Sequence, residues 1–132
     1  MKKSICILFI FSLLHFFVFL YFHRPIIPFQ LINPSFTWRS YEISQKYTQN
    51  NKTNFIKHLQ TKLKNESYLF LKNDFPYHVN AQHYVLWLKN ENVNISKIIQ
   101  QRFSNKNIKY FQNYHFLKSI PEIKHYQIFV SN

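Results

Sequence analysis

His83 and His125 stand in segments that alternate as β-strands do, and the alternation decides what they can do together. From Ile123 to Val130, period two places Ile123, His125, Gln127 and Phe129 on one face and Lys124, Tyr126, Ile128 and Val130 on the other. The same rule groups His83 with Val85 and Trp87. If these strands are neighbours in matching register, both imidazoles project into one shallow pocket. Two imidazoles titrating near their ordinary value of about 6.5 can serve as general acid and base, or as metal ligands. Asp74 and Glu122 are the nearest carboxylates in sequence. The competing reading is structural, because a histidine on an otherwise apolar strand face is commonly a core residue satisfied by a backbone carbonyl. A metal site needs third and fourth ligands, and no His or Cys pair has ligand spacing, so neither metal nor cofactor is expected.

The elements that must position these residues follow from periodicity and punctuation. Thr37 to Gln49 predicts a helix of weak apolar period, and Phe55, Ile56, Leu59 and Leu63 mark a clearer one capped by Thr53 or Asn54. Strands are expected over Tyr68 to Leu71, His83 to Leu88, Ile108 to Phe111 and Ile123 to Val130. Asn73-Asp74-Phe75-Pro76 and Ser119-Ile120-Pro121 read as turns. Asn94 caps a helical stripe of Ile95, Ile98, Ile99 and Phe103, and Trp87, Phe75 and the Phe55 stripe belong to the core. The fold class is therefore α+β: a small antiparallel or mixed sheet with helices on one side, behind an N-terminal transmembrane helix.

That helix rests on residues 4–22, of which only Ser4, Ser12 and His15 are not strongly apolar. Nineteen residues at about 1.5 Å each span about 28 Å, close to a bilayer's hydrocarbon core of roughly 30 Å. A cleaved signal peptide is the rival. It is opposed by the length of the apolar run and by Tyr21-Phe22-His23-Arg24-Pro25, which lacks small residues for a peptidase. A buried core helix is excluded by the surface-to-volume ratio of so small a domain. His15, polar and inside the run, either pairs with another helix or does nothing. The positive-inside rule favours a cytosolic N-terminus through Lys2 and Lys3, but Arg24, Arg39 and Lys46 follow closely and weaken it. The organisation expected is an anchor over 1–22, a Pro-containing linker over 23–36 that hugs the membrane, and one domain over 37–132. The organelle and oligomeric state stay open.

The chain has 132 residues, 17 Lys and Arg against 5 Asp and Glu, and a formal charge of +12. Such a surface is drawn to anionic lipid. The cations fall singly, as in Lys57, Lys62, Lys64, Lys72, Lys89 and Lys97, with no basic stripe interleaved by aromatics, so nucleic-acid binding is not expected. An AT-rich coding sequence would also enrich Asn, Lys, Ile, Phe and Tyr, which lowers the weight of the charge and of the sequons at Asn51, Asn65 and Asn94. The single Cys6 lies in the apolar run and leaves no intramolecular disulfide. Glycine is absent, which excludes the phosphate-binding loops of P-loop and dinucleotide-binding proteins and the serine nucleophile elbow.

Asn73-Asp74-Phe75-Pro76-Tyr77, His83-Tyr84-Val85-Leu86-Trp87 and Lys118-Ser119-Ile120-Pro121-Glu122-Ile123 with His125 and Phe129 resemble the N-acetylglucosamine-induced protein family. This is a domain of unknown function with fungal and large DNA virus members. The resemblance covers 37–132, with Arg39-Ser40 and Tyr47 matching the family's upstream helical part. It implies His83, Trp87, Asn113 and His125 as family-type positions and a loose link to amino-sugar response. The family pattern ends in His-x-His, whereas this chain has His125-Tyr126-Gln127 and lacks the second imidazole. The anchor also departs from the soluble fungal members. Two functions remain in play. One is a non-catalytic, membrane-tethered binding or interaction module. The other is a small hydrolase or transferase acting on a sugar or sugar phosphate, with His83 and His125 as acid and base and Asn113 holding substrate.

Overall fold

The computed structural model describes residues 2–132, giving residues 2–11 as helix without their side chains. Helix α1 (Lys2–Phe22) is followed by α2 (Tyr41–Gln49), α3 (Lys52–Leu63), strands β1 (Tyr68–Lys72) and β2 (Gln82–Leu88), α4 (Ile95–Arg102), β3 (Asn107–Phe111) and β4 (His125–Ser131). The four strands form one antiparallel sheet in the order β1-β2-β4-β3, so an α+β fold with a wholly antiparallel sheet is what this sequence makes.

Helix starts follow side-chain capping. The Ser40 hydroxyl accepts from the Ile43 amide, Asn51 from Asn54 and Asn94 from Lys97. The helix expected from Thr37 thus starts only at Tyr41, and Asn51 replaces Thr53 or Asn54 as the cap of α3. β4 starts at His125, two residues later than alternation suggests, with the Lys124 carbonyl accepting from the Leu88 amide where the ladder ends.

Helices lie on both sides of the sheet, not on one. Leu59 and Leu63 of α3 pack with Val85, Trp87, Ile120 and Ile123 on the face that carries both histidines. Ile98 and Ile99 of α4 pack with Leu86, Leu88, Ile128 and Val130 on the other. β2 and β4 carry buried apolar side chains on both faces, and burying a Val, Leu or Ile side chain is worth about 1.5–3 kcal/mol, so each face needs its own cover.

Residues 23–36 are part of this domain's packing. Ile27 and Ile32 are buried against Phe129. The Ile27 amide donates to the His78 carbonyl, and the Ile27 carbonyl accepts from the Asn80 amide. Trp38 Nε1 donates to the Pro25 carbonyl at 3.1 Å, while Tyr41 packs against the rings of Tyr21 and Phe22. Among the described residues, no helix is long and apolar enough to cross a membrane. The side chains of α1 are described from residue 12 onward, and 4–11, the first part of the expected anchor, lie outside them.

Candidate functional site

β2 and β4 are neighbours, and His83, Gln127 and His125 share one face of the sheet. Register then separates the histidines. His83 lies opposite Phe129, and His125 lies opposite Trp87, four residues along the strands. At about 3.4 Å per residue that is roughly 14 Å, beyond the reach of two groups exchanging protons with one substrate atom. The shared pocket expected for the pair is not formed, and Val85 and Gln127 occupy the rows between them.

His83 is locked. The Tyr77 amide donates to its Nδ1 at 3.0 Å, so Nε2 carries the proton and donates to Gln127 Oε1 at 2.7 Å. The ring packs against both Tyr77 and Phe129, at centroid distances of 5.0 and 4.4 Å, and those two rings also meet each other at 6.2 Å. Burial disfavours its cation most, the Gln127 hydrogen bond opposes that shift, and Arg39 adds to it, so the pKa falls to about 4. Neutral and doubly hydrogen-bonded, His83 has no lone pair left for a substrate.

Asn113 belongs to this same cluster, its Nδ2 donating to the Tyr77 hydroxyl at 3.0 Å. It braces Tyr77 over His83 and does not line the cleft described next. Glu122 is exposed and outside that cleft as well.

His125 is placed differently. Its Nδ1 lies 2.8 Å from the Ile123 carbonyl, which can only accept, so Nδ1 carries the proton and Nε2 keeps a lone pair. Burial lowers its pKa too, partly opposed by that hydrogen bond, with a smaller lowering from Lys118. Its ring packs on Trp87 at 4.5 Å and lines a cleft of about 320 Å³ between the sheet and the α2–α3 corner. Small-molecule sites begin near this size, at about 300 Å³. Among the described residues, no three His, Cys, Asp or Glu side chains group as metal ligands.

The floor of the cleft is Trp87, His125 and Gln127, one wall is Phe55, and the rim carries Arg39, Tyr47, Lys52 and Asp74. Gln127 has a fixed orientation. Because its Oε1 accepts from His83, its amide NH₂ remains to donate elsewhere. The Arg39 guanidinium lies over the rings of Tyr47 and Tyr77, at 4.1 and 4.7 Å, and its Nε donates to the Phe75 carbonyl. Lys52 Nζ sits 5.0 Å from the same Tyr47 ring. Lys72 also lines the cleft, but its pairing with Tyr84 starts its side chain toward the opposite face.

No protein-family model matches the chain, and no curated protein matches it. A solved structure described as the crystal structure of HTC1 is similar in fold, with a TM-score of 0.51 and 20% identity over 72% of this chain and 76% of that one. At that identity the likeness concerns architecture alone.

Sequence reading placed His125 in the site, assigned Trp87 to the core, and missed Arg39, Tyr47 and Lys52. They come from 35 or more residues away in sequence, and no local pattern ties them to the sheet. Gln127 was legible as a face partner of His125, since period two puts both on one side.

Proposed function

We propose that this chain is a membrane-anchored, non-catalytic binding module whose ligand site is the cleft over Trp87, His125 and Gln127. The observation carrying the non-catalytic part is the state of His83, with both ring nitrogens committed and about four strand positions between it and His125. A hydrolase or transferase using the two imidazoles as acid and base loses its pair in this geometry. The resemblance to the N-acetylglucosamine-induced protein family fits a grouping by domain and supplies no reaction.

Two surfaces support the anchor. Every described residue of α1 from Ser12 to Phe22 is exposed, so Leu13, Leu14, Phe16, Phe17 and Phe19 are not covered among the described residues. Outside α1, Ile26, Leu31, Tyr114, Phe116 and Leu117 are exposed as well, Phe116 at 81%. Ser35 Oγ and the Tyr114 hydroxyl, 3.3 Å apart, join the two stretches that carry them. Apolar surface of that extent calls for a partner, and a bilayer entered by residues 4–22 would cover the exposed face of α1.

Alkaline carbonate extraction of cells expressing the full chain tests the anchor. The protein should stay in the membrane pellet, and release of the intact chain into the aqueous fraction overturns the reading. His125→Gln tests the non-catalytic part, since it removes the unpaired imidazole nitrogen of the cleft. The native protein should turn over neither a sugar nor a sugar phosphate, whereas turnover that the variant abolishes with its fold intact by circular dichroism argues for catalysis.

A further inference from the structure

Arg39 and Lys52 are two cations within 5.0 Å of one tyrosine ring, at the mouth of a cleft whose rim also carries the Asp74 carboxylate. Among the described residues the ion pair formed is Lys124 with Glu91, remote from the cleft, so neither cation has a carboxylate partner within 4.0 Å. Arg39 is half-buried and spends only Nε on the Phe75 carbonyl, which leaves its two terminal nitrogens to form a fork suited to a phosphate. The first turn of the twelve-residue α3 contains no acidic residue. Its amides add to the positive field at the same mouth.

Deeper in, the polar groups have a different character. His125 Nε2 can only accept and the Gln127 amide nitrogen can only donate, beside the apolar walls of Trp87 and Phe55. An acceptor and a donor set against an aromatic wall match ring hydroxyl groups, while a charged group there would meet neutral partners and low dielectric.

We propose that the cleft binds a phosphorylated, hydroxyl-bearing ring, with the phosphate at Arg39 and Lys52 and the ring hydroxyls on His125 and Gln127. The proposal rests on the reading of the cleft as a binding site and assigns its ligand class. Both a soluble sugar phosphate and the headgroup of a phosphorylated inositol lipid have this chemistry.

Trp87 lies in the cleft, and Trp38 is the other tryptophan, so fluorescence of the full-length Trp38→Phe protein in detergent reports the site. Titrations would use a hexose 6-phosphate, inositol 1,4,5-trisphosphate, the unphosphorylated hexose and inorganic phosphate. At least one phosphorylated ring should give a saturable change, with the plain hexose and phosphate at least about tenfold weaker, the scale of one charge-assisted contact. Lys52→Gln, at an exposed position, should weaken that binding about tenfold with an unchanged melting temperature. Nanodiscs with and without a phosphorylated inositol lipid separate the sources: competition by the lipid assigns the ligand to the headgroup, and its absence to the soluble ring.

Equal binding of the plain hexose, or a Lys52→Gln variant with full affinity, overturns the anion assignment while leaving a binding cleft in place. Failure of every phosphorylated ring to bind also overturns it. Turnover of the bound probe that depends on His125 would instead overturn the non-catalytic reading and leave the ligand class standing.

Discussion

His83 and His125 lie on the same face of the same two strands, and both are almost fully buried, yet they are chemically unlike. His83 receives a backbone amide on one nitrogen and donates from the other, against two aromatic rings. His125 donates one proton to a carbonyl two residues back and turns its other nitrogen to a cleft. Burial neutralises both, so what separates a structural from a binding histidine is the bookkeeping of the second nitrogen.

The contrast is broken most strongly by His83→Ala. The change leaves the Tyr77 amide and Gln127 Oε1 buried without partners and opens a void beside Phe129. It should cost about 3 kcal/mol or more of stability, read from urea unfolding of the detergent-solubilised protein. A loss below about 1 kcal/mol would mean that His83 is dispensable to the fold.

Acid sharpens the same difference. His83 titrates at about 4 when folded and near 6.5 when unfolded, so below pH 6.5 the unfolded chain binds the extra proton. Stability is complete above about pH 6.5 and declines as pH falls toward 4, by about 3 kcal/mol in all. His125 adds in the same direction. Urea midpoints between pH 7 and 4 should show this fall in the native sequence and much less of it in a His83→Gln variant.

The smallest effect belongs to His125→Gln, where the replacement amide can still donate and the cleft admits water. Stability should change by no more than about 1 kcal/mol in the same assay, with the effect appearing instead in ligand affinity. A loss as large as that of His83→Ala would erase the distinction between the two sites.

Much of this architecture was legible before any coordinates. All four strands and the helices around Leu59 and Ile98 fall where periodicity puts them, because each has an apolar period over several turns or alternations. Asn94 was recognisable as a cap because it directly precedes its helix. The two-sided cover of the sheet was also encoded, in Leu86, Leu88, Ile128 and Val130 alternating with Val85, Trp87 and Phe129. What alternation cannot give is register. It placed His83 and His125 on one face correctly and could not show the four-residue offset that parts them. The rim was hidden for a similar reason, since Arg39 meets Tyr47 from just ahead of α2 and Lys52 from the start of α3, and neither contact follows a repeating pattern.

The stitching of residues 25–36 onto the sheet has a mechanical consequence. Only His23 and Arg24 separate α1 from the packed part of the chain, and Tyr41 clamps the helix end, so the helix and the domain are geared together. One residue inserted before Phe22 would turn the domain by about 100° about the helix axis and shift it by about 1.5 Å, whereas a slack tether would absorb the change. With α1 held in a bilayer as proposed, the surface that the domain presents to its surroundings is set by the angular phase of a single helix, and the lysines shielded from a water-soluble label should rotate with each insertion.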